Sequence, residues 1–167
     1  MLSACALFAT PFGTALAAAR EGRLVGLSFF ADEAAARAAL GGSEVDPDAE
    51  PFPLLRRQLA EYFAGERTAF ALPLAPAGTP FQRGVWDALR AIPYGETRSY
   101  GELAAAVGKP GAARAVGRAN HDNPIGVVIP CHRVIGAGGG LTGYAGGLDR
   151  KRYLLELEGA LPRSLAL

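Results

Sequence analysis

Residues 99–120 read SYGELAAAVGKPGAARAVGRAN, and this stretch decides how the second half of the chain folds. Ser99 and Glu102 form an S-x-x-E capping box, which opens a short helix that runs to Gly108. Gly108-Lys109-Pro110-Gly111 interrupts it, and Pro110 starts a second helix from about Gly111 to Asn120. Two short helices across a tight turn make a helix-turn-helix candidate. In the second helix Ala112, Ala113 and Gly117 give a low face beside Arg114 and Arg118, fit for close approach to another surface. Composition leaves open whether that surface is a core helix or a DNA groove.

Upstream, Thr79-Pro80-Phe81-Gln82 supplies a cap, a proline at the first helical position and a glutamine to close a capping box. That helix runs to about Ala91, where Ile92-Pro93-Tyr94-Gly95 breaks it. Ala75-Pro76-Ala77-Gly78 reads as a linker. Before it the signals are those of strands: Ala6 to Thr10, Gly13 to Ala19 and Leu24 to Phe30 form a β-meander turning at Arg20-Glu21-Gly22. Alanine-rich Thr14 to Ala19 also fits a helix. Asp32 caps a short helix to about Leu40, Ser43 to Pro53 is an acidic loop, and a helix over Leu54 to Ala64 stops at Gly65. Phe70 to Leu74 completes the set as a last strand. The expected class is α+β: a small N-terminal α/β subdomain with an antiparallel sheet (1–78), then a mainly helical C-terminal domain with the helix-turn-helix (79–167).

The 167 residues are half hydrophobic, enough to bury a core, and only 20% charged, which excludes a disordered chain. A net charge of +1 hides −3 over residues 1–80 and +4 over residues 81–167, so the half with the helix-turn-helix is the basic one. Leu2 to Ala19 is apolar but carries no Lys or Arg ahead of its apolar run and is broken by Pro11 and Gly13. The expectation is therefore neither a signal peptide nor a membrane span. Two cysteines, Cys5 and Cys131, give no disulfide framework and suit a reducing cytoplasm.

Ile125 to Pro130 is a short apolar run, expected as a buried strand, that delivers Cys131-His132-Arg133 to its end. Pro130 stiffens the approach. A thiol with an ordinary pKa is only a few per cent ionised at neutral pH, so a nucleophilic cysteine needs a base. His132 is the candidate. Neighbours on an extended chain point to opposite faces, which requires a bend or an intervening water between them. A buried free cysteine beside a surface histidine explains the same adjacency. Cys5, Cys131, His121 and His132 contain no C-x-x-C pair, so no zinc site is expected. Gly138, Gly140 and Gly143 match G-x-G-x-x-G, but the glycines continue at Gly146 and Gly147 instead of opening a helix, and the dinucleotide reading fails. This glycine loop passes Tyr144 and leads into a helix from about Leu148 to Glu158.

Ile129-Pro130-Cys131-His132-Arg133-Val134 resembles the reactive motif of the O6-alkylguanine-DNA alkyltransferases. The resemblance spans Thr79 to Gly159 through Pro93-Tyr94-Gly95-Glu96, Ser99-Tyr100, Arg114-Ala115-Val116-Gly117, Asn123-Pro124 and Gly143-Tyr144-Ala145-Gly146-Gly147. The first 78 residues match only in outline. It implies irreversible transfer of an alkyl group from O6-alkylguanine in double-stranded DNA to Cys131, with O4-alkylthymine left open. His132 would deprotonate Cys131 through a water, Glu158 would orient His132, and Asn123 would be a hinge to the reactive segment. The base is flipped out through the minor groove. Arg114 would fill the gap, Ala112, Ala113 and Gly117 would let the helix into the groove, and Tyr100 would push on phosphate or protonate the departing guanine. Tyr144 with Val134, Ile135 and Gly136 would line the guanine pocket. Ala145 stands where some relatives have serine and Gly126 where others have proline, which implies room for groups larger than methyl. No cofactor, metal or membrane is expected, and a monomer is the default. The alternatives are a non-catalytic alkylated-DNA damage sensor, which typically lacks the cysteine, and an unrelated Cys-His hydrolase, which would turn over repeatedly and ignore DNA.

Overall fold

The period-two alternation at the start of the chain wins over the alanine content. Strands β1 (Ala4–Thr10), β2 (Gly13–Arg20) and β3 (Arg23–Phe30) pair antiparallel in the order β1-β2-β3. Ala15, Ala17 and Ala19 on β2 are buried in alternation, which a helix would not produce. The computed structural model describes residues 4–144 and 147–162, so Ala145 and Gly146 of the expected pocket loop lie outside the described residues. The chain divides into one unit over 1–77 with 124–126 and another over 78–123 with 127–167.

In the N-terminal unit, Asp32 caps α1 (Glu33–Leu40) by accepting the Ala35 amide at 2.8 Å. Helix α2 (Phe52–Phe63) begins two residues before the expected Leu54, because Pro53 is tolerated in its first turn, and it buries Phe52, Leu55, Leu59 and Tyr62. The expected strand at Phe70 to Leu74 is a correction. Only Leu74 makes a bridge, to Leu24. Pro73 has no N–H for a ladder, and the Gln58 amide group takes both backbone groups of Ala71, donating to its carbonyl at 3.1 Å and accepting from its N–H at 2.9 Å. The expected strand at Ile125 to Pro130 is a second correction. Ile125 bridges Leu27, but 126–128 turn, and Val127 sits at φ 69°, a rare conformation for a β-branched residue. The segment is buried as expected; its burial, not strand pairing, explains the apolar run.

In the C-terminal unit, α3 (Pro80–Arg90) carries the full Thr79/Gln82 capping box. A side chain at Gly78 would put its Cβ 2.5 Å from the Trp86 ring, so glycine is required where the chain enters this unit. Trp86 is buried and its indole N–H donates to the Ala119 carbonyl at 2.8 Å. Truncating it to alanine would cost about 3–5 kcal/mol. β4 (Arg98–Ser99) leads directly into α4 (Tyr100–Ala106), capped by Ser99 and Glu102. Helix α5 (Ala113–His121) starts two residues later than expected, since Gly111 adopts φ 88°, which no helix accommodates. After α5 come a 3-10 turn over Cys131–Arg133, β5 (Val134–Ile135) and α6 (Leu148–Leu157). β5 pairs parallel with β4, a two-residue contact too short to leave a periodic signal in the sequence.

Candidate active site and nucleic-acid interface

The 3-10 turn answers the problem of adjacent side chains on an extended strand. Cys131, His132 and Arg133 follow a helical path out of Pro130, and all three are buried. Both asparagines of the preceding segment hold this turn. The Asn123 side chain donates to the Ile129 carbonyl at 2.8 Å, and Asn120, on the buried face of α5, donates to the Cys131 carbonyl at 3.3 Å. Burial raises the Cys131 pKa, outweighing an Asn123 hydrogen bond and the Lys151 charge that lower it. The resting thiol is therefore protonated and needs a base.

His132 is fully buried, with Nε2 2.7 Å from Glu158 Oε2. Its Nδ1 has no protein partner among the described residues, which leaves it as the nitrogen able to take a proton. Burial lowers the His132 pKa, against the pull of Glu158 and with the help of Arg133 and Lys151. Glu158 caps the end of α6. Burial opposes its ionisation, but hydrogen bonds and charges from His132 and Arg133 prevail and bring its pKa down to about 2.

Sequence reasoning did not single out Lys151. It is fully buried and its ammonium donates to the Val134 carbonyl at 2.5 Å and the Thr142 carbonyl at 2.7 Å. It thereby ties β5 to the glycine loop. Burial brings its pKa down to about 8, and a thiolate at Cys131 would pull it back up. A lysine among charged residues on a helix ordinarily faces solvent, so nothing in Asp149-Arg150-Lys151-Arg152 marks it.

Tyr100 donates its hydroxyl proton to the Thr142 carbonyl at 3.3 Å, so that carbonyl gathers both Tyr100 and Lys151. A Cβ on Gly117 would touch the Tyr100 ring at 3.6 Å, which brings Tyr100 and α5 together. Val134 is buried, Ile135 and Gly136 are half-buried, and the Gly136 amide closes a turn onto the Gly140 carbonyl at 2.9 Å. Tyr144 is half-buried, and burial pushes its pKa up, to which a thiolate at Cys131 would add. Gly126, in the N-terminal unit, faces the Leu27 carbonyl and the Phe29 ring.

The outer face of α5 is different in kind. Arg114, Arg118 and Lys109 are exposed and make no ion pair among the described residues. Ala112 and Ala113 are half-buried, and Ala112 offers no side-chain cap, so the first amides of α5 stay open to an anion. Among the described residues, no group of three His, Cys, Asp or Glu could hold a metal ion, and no helix is long and apolar enough to cross a membrane.

An antiparallel sheet, a helical unit with a helix-turn-helix, and a buried cysteine next in the chain to a buried His132–Glu158 pair fit the class of DNA-directed cysteine transferases. Two family models cover the chain: the 6-O-methylguanine DNA methyltransferase ribonuclease-like domain over residues 4–76 and the DNA binding domain of the same family over residues 80–160. The chain is 51% identical over 155 residues to the methylated-DNA–protein-cysteine methyltransferase of Methanosarcina acetivorans, covering 93% of this chain and 97% of that one. It is 62% identical over 112 residues to the protein of that name from Mycobacterium bovis, covering 67% and 68%. A crystal structure of Mycobacterium tuberculosis OGT in complex with DNA matches with a TM-score of 0.84 and 49% identity over 93% of this chain and 92% of that one. The O6-methylguanine methyltransferase of the same organism matches with a TM-score of 0.83 and 48% identity over 96% and 94%. The chain belongs to the 6-O-methylguanine DNA methyltransferase family.

Proposed function

We propose that this protein repairs DNA by moving the alkyl group of O6-alkylguanine onto its own Cys131, once per molecule. The observation that carries this is the buried relay: a thiol kept protonated by burial, and a histidine with one nitrogen committed to a carboxylate and the other open. A bridging water passes the thiol proton to His132 Nδ1. The thiolate attacks the alkyl carbon, the S–C bond forms as the C–O6 bond breaks, and the bonding electrons leave with the guanine. The Tyr100 hydroxyl then supplies a proton to the departing base. Glu158, ionised throughout, stabilises the imidazolium that forms.

Reaching the lesion requires the nucleotide to leave the stack. Arg114 on the exposed face of α5 takes its place, while Ala112, Ala113 and Gly117 keep that helix slim enough for the minor groove. Arg118, Lys109 and the open N-terminus of α5 hold phosphates without reading sequence. The flipped base sits against Tyr144 and the main chain of Val134 to Gly136. The pocket takes groups larger than methyl, since position 145 carries only the small side chain of alanine. Failure of an O6-benzylguanine probe to label a protein that repairs O6-methylguanine would refute that.

Residues 1–78 form the N-terminal α/β domain and 79–167 the DNA-binding and transfer domain. We assign the work to the cytoplasm and to a monomer, where both free cysteines remain thiols. No cofactor enters, because DNA supplies the alkyl group. The test is a duplex with one O6-methylguanine, digested and assayed for restored guanine. Guanine should equal the protein added and then stop. Binding without restoration would indicate a damage sensor, which the presence of Cys131 argues against, and continued turnover would exclude a thioether end product.

A further inference from the structure

Arg133 follows the reactive pair on the same 3-10 turn and is buried with it. Its guanidinium grips both oxygens of Glu158, with Nε 2.8 Å from Oε1 and Nη2 3.0 Å from Oε2. Nη1 donates to the Ile92 carbonyl at 2.7 Å, and the guanidinium lies 5.8 Å from the centre of the Tyr94 ring. Tyr94 in turn donates its hydroxyl to the Leu157 carbonyl at 3.2 Å, beside Glu158. Arg133 is 7% exposed and its carboxylate partner 4%, so this is a planar two-point clamp inside the protein.

The clamp bears on a charge problem. A buried carboxylate whose only partner was His132 would draw a proton onto the imidazole, and a histidine charged at rest cannot take the proton of Cys131. Arg133 supplies the balancing charge instead. Oε2, shared between Nη2 of Arg133 and Nε2 of His132, is then fixed in position and accepts the Nε2 proton. We infer that Arg133 is a positioning residue for alkyl transfer: by clamping Glu158 it keeps His132 uncharged at rest, as the Nε2–H tautomer, with Nδ1 left to accept the thiol proton. This rests on the transfer reaction proposed above.

The charged groups that act on His132 are Arg133 from the same turn, with Lys151 on α6 and Glu158 at its end. Lys151 favours the neutral ring as Arg133 does, but its ammonium donates to the Val134 and Thr142 carbonyls, whereas Arg133 is bonded to both oxygens of Glu158. Removing Arg133 should therefore charge His132.

The experiment uses the full chain with 15N-labelled histidine. The chain has two histidines, His132 buried and His121 exposed, so two ring signals are to be assigned. The wild-type His132 should show the neutral Nε2–H tautomer at pH 7. In Arg133→Met it should show the doubly protonated ring at pH 7. The acid limb of the single-turnover transfer rate should move up by about one pH unit, roughly a tenfold loss on that limb, with recovery at alkaline pH. Arg133→Lys, which keeps the charge without the fork, should fall between the two. A charged His132 in the wild type would overturn the inference. So would an equal loss of rate at every pH in Arg133→Met, or in Arg133→Lys should the methionine variant not fold. A wild-type protein with the expected tautomer and no transfer to Cys131 would instead refute the reaction itself.

Discussion

The outer face of α5 and the pocket of charge around Glu158 lie in the same unit and treat ions in opposite ways. Arg114 and Arg118 on α5 and Lys109 in the turn before it stand in solvent without ion pairs among the described residues, held in reserve for a polyanion. Around Glu158 the carboxylate is buried and bonded to both His132 and Arg133. Exposed cations give sequence-independent attraction that salt screens, whereas buried ions are insulated from salt and set protonation states. Binding and chemistry are thus governed by different variables, and each can be disturbed alone.

The largest effect should come from the nucleophile. Cys131→Ser should abolish transfer while leaving duplex affinity within about twofold, because the serine hydroxyl is a far poorer nucleophile and lies away from the α5 face. Alkylation of a serine variant, with the group found on Cys5, would break the assignment; mass spectrometry decides it.

Glu158→Gln should slow transfer on the order of a hundredfold by loosening the base. It should also destabilise the fold by about 3 kcal/mol or more, since Arg133 is left as a buried unpaired charge. In the wild type the pH dependence follows from the direction of each shift. His132, lowered from 6.5, penalises the fold as pH falls below 6.5. Glu158, lowered from 4.5 to about 2, contributes stability that is complete above pH 4.5 and is lost as pH falls toward 2. Thermal melts should therefore decline below pH 6.5 and steepen below 4.5, and Glu158→Gln should lack the steeper arm.

Arg114→Ala should reduce repair in duplex DNA by about tenfold, matching part of the cost of an extrahelical base, and leave reaction with a free-base probe unchanged. Equal losses on both substrates would show that Arg114 serves the chemistry and would erase the division between the two regions. The smallest effect belongs to the N-terminal unit: Asp32→Ala should cost about 1 kcal/mol through loss of the α1 cap and leave transfer rates unchanged. Denaturant melts and single-turnover kinetics measure the two parts.

Local signals made much of this legible from the residues. Capping boxes at Thr79/Gln82 and Ser99/Glu102 mark helix starts within one turn, and both form. The strands of the meander follow from alternation within each strand. Phe70 to Leu74 and Ile125 to Pro130 look like strands in the sequence because apolar runs report burial, whereas the Gln58 side chain takes the backbone groups of Ala71 and the second segment turns with Val127 at φ 69°. α5 starts two residues beyond the position that Pro110 marks, because Gly111 at φ 88° cannot be helical. At the site, His132 pairs with Glu158, and Cys131 precedes them on a 3-10 turn in place of a strand end. Arg133 and Lys151 carried no signal of their own. Basic residues ordinarily read as surface, and the long-range contacts to Glu158, Ile92, Val134 and Thr142 show that these two are interior.

The central claim is that Cys131 takes the alkyl group once and keeps it. Intact-protein mass with peptide mapping, after incubation with a duplex containing O6-methylguanine, tests it most directly. The account predicts a gain of one methylene unit, located on Cys131 and stopping at one per molecule. Tight binding to that duplex with no gain in mass, or a gain located elsewhere, would contradict it.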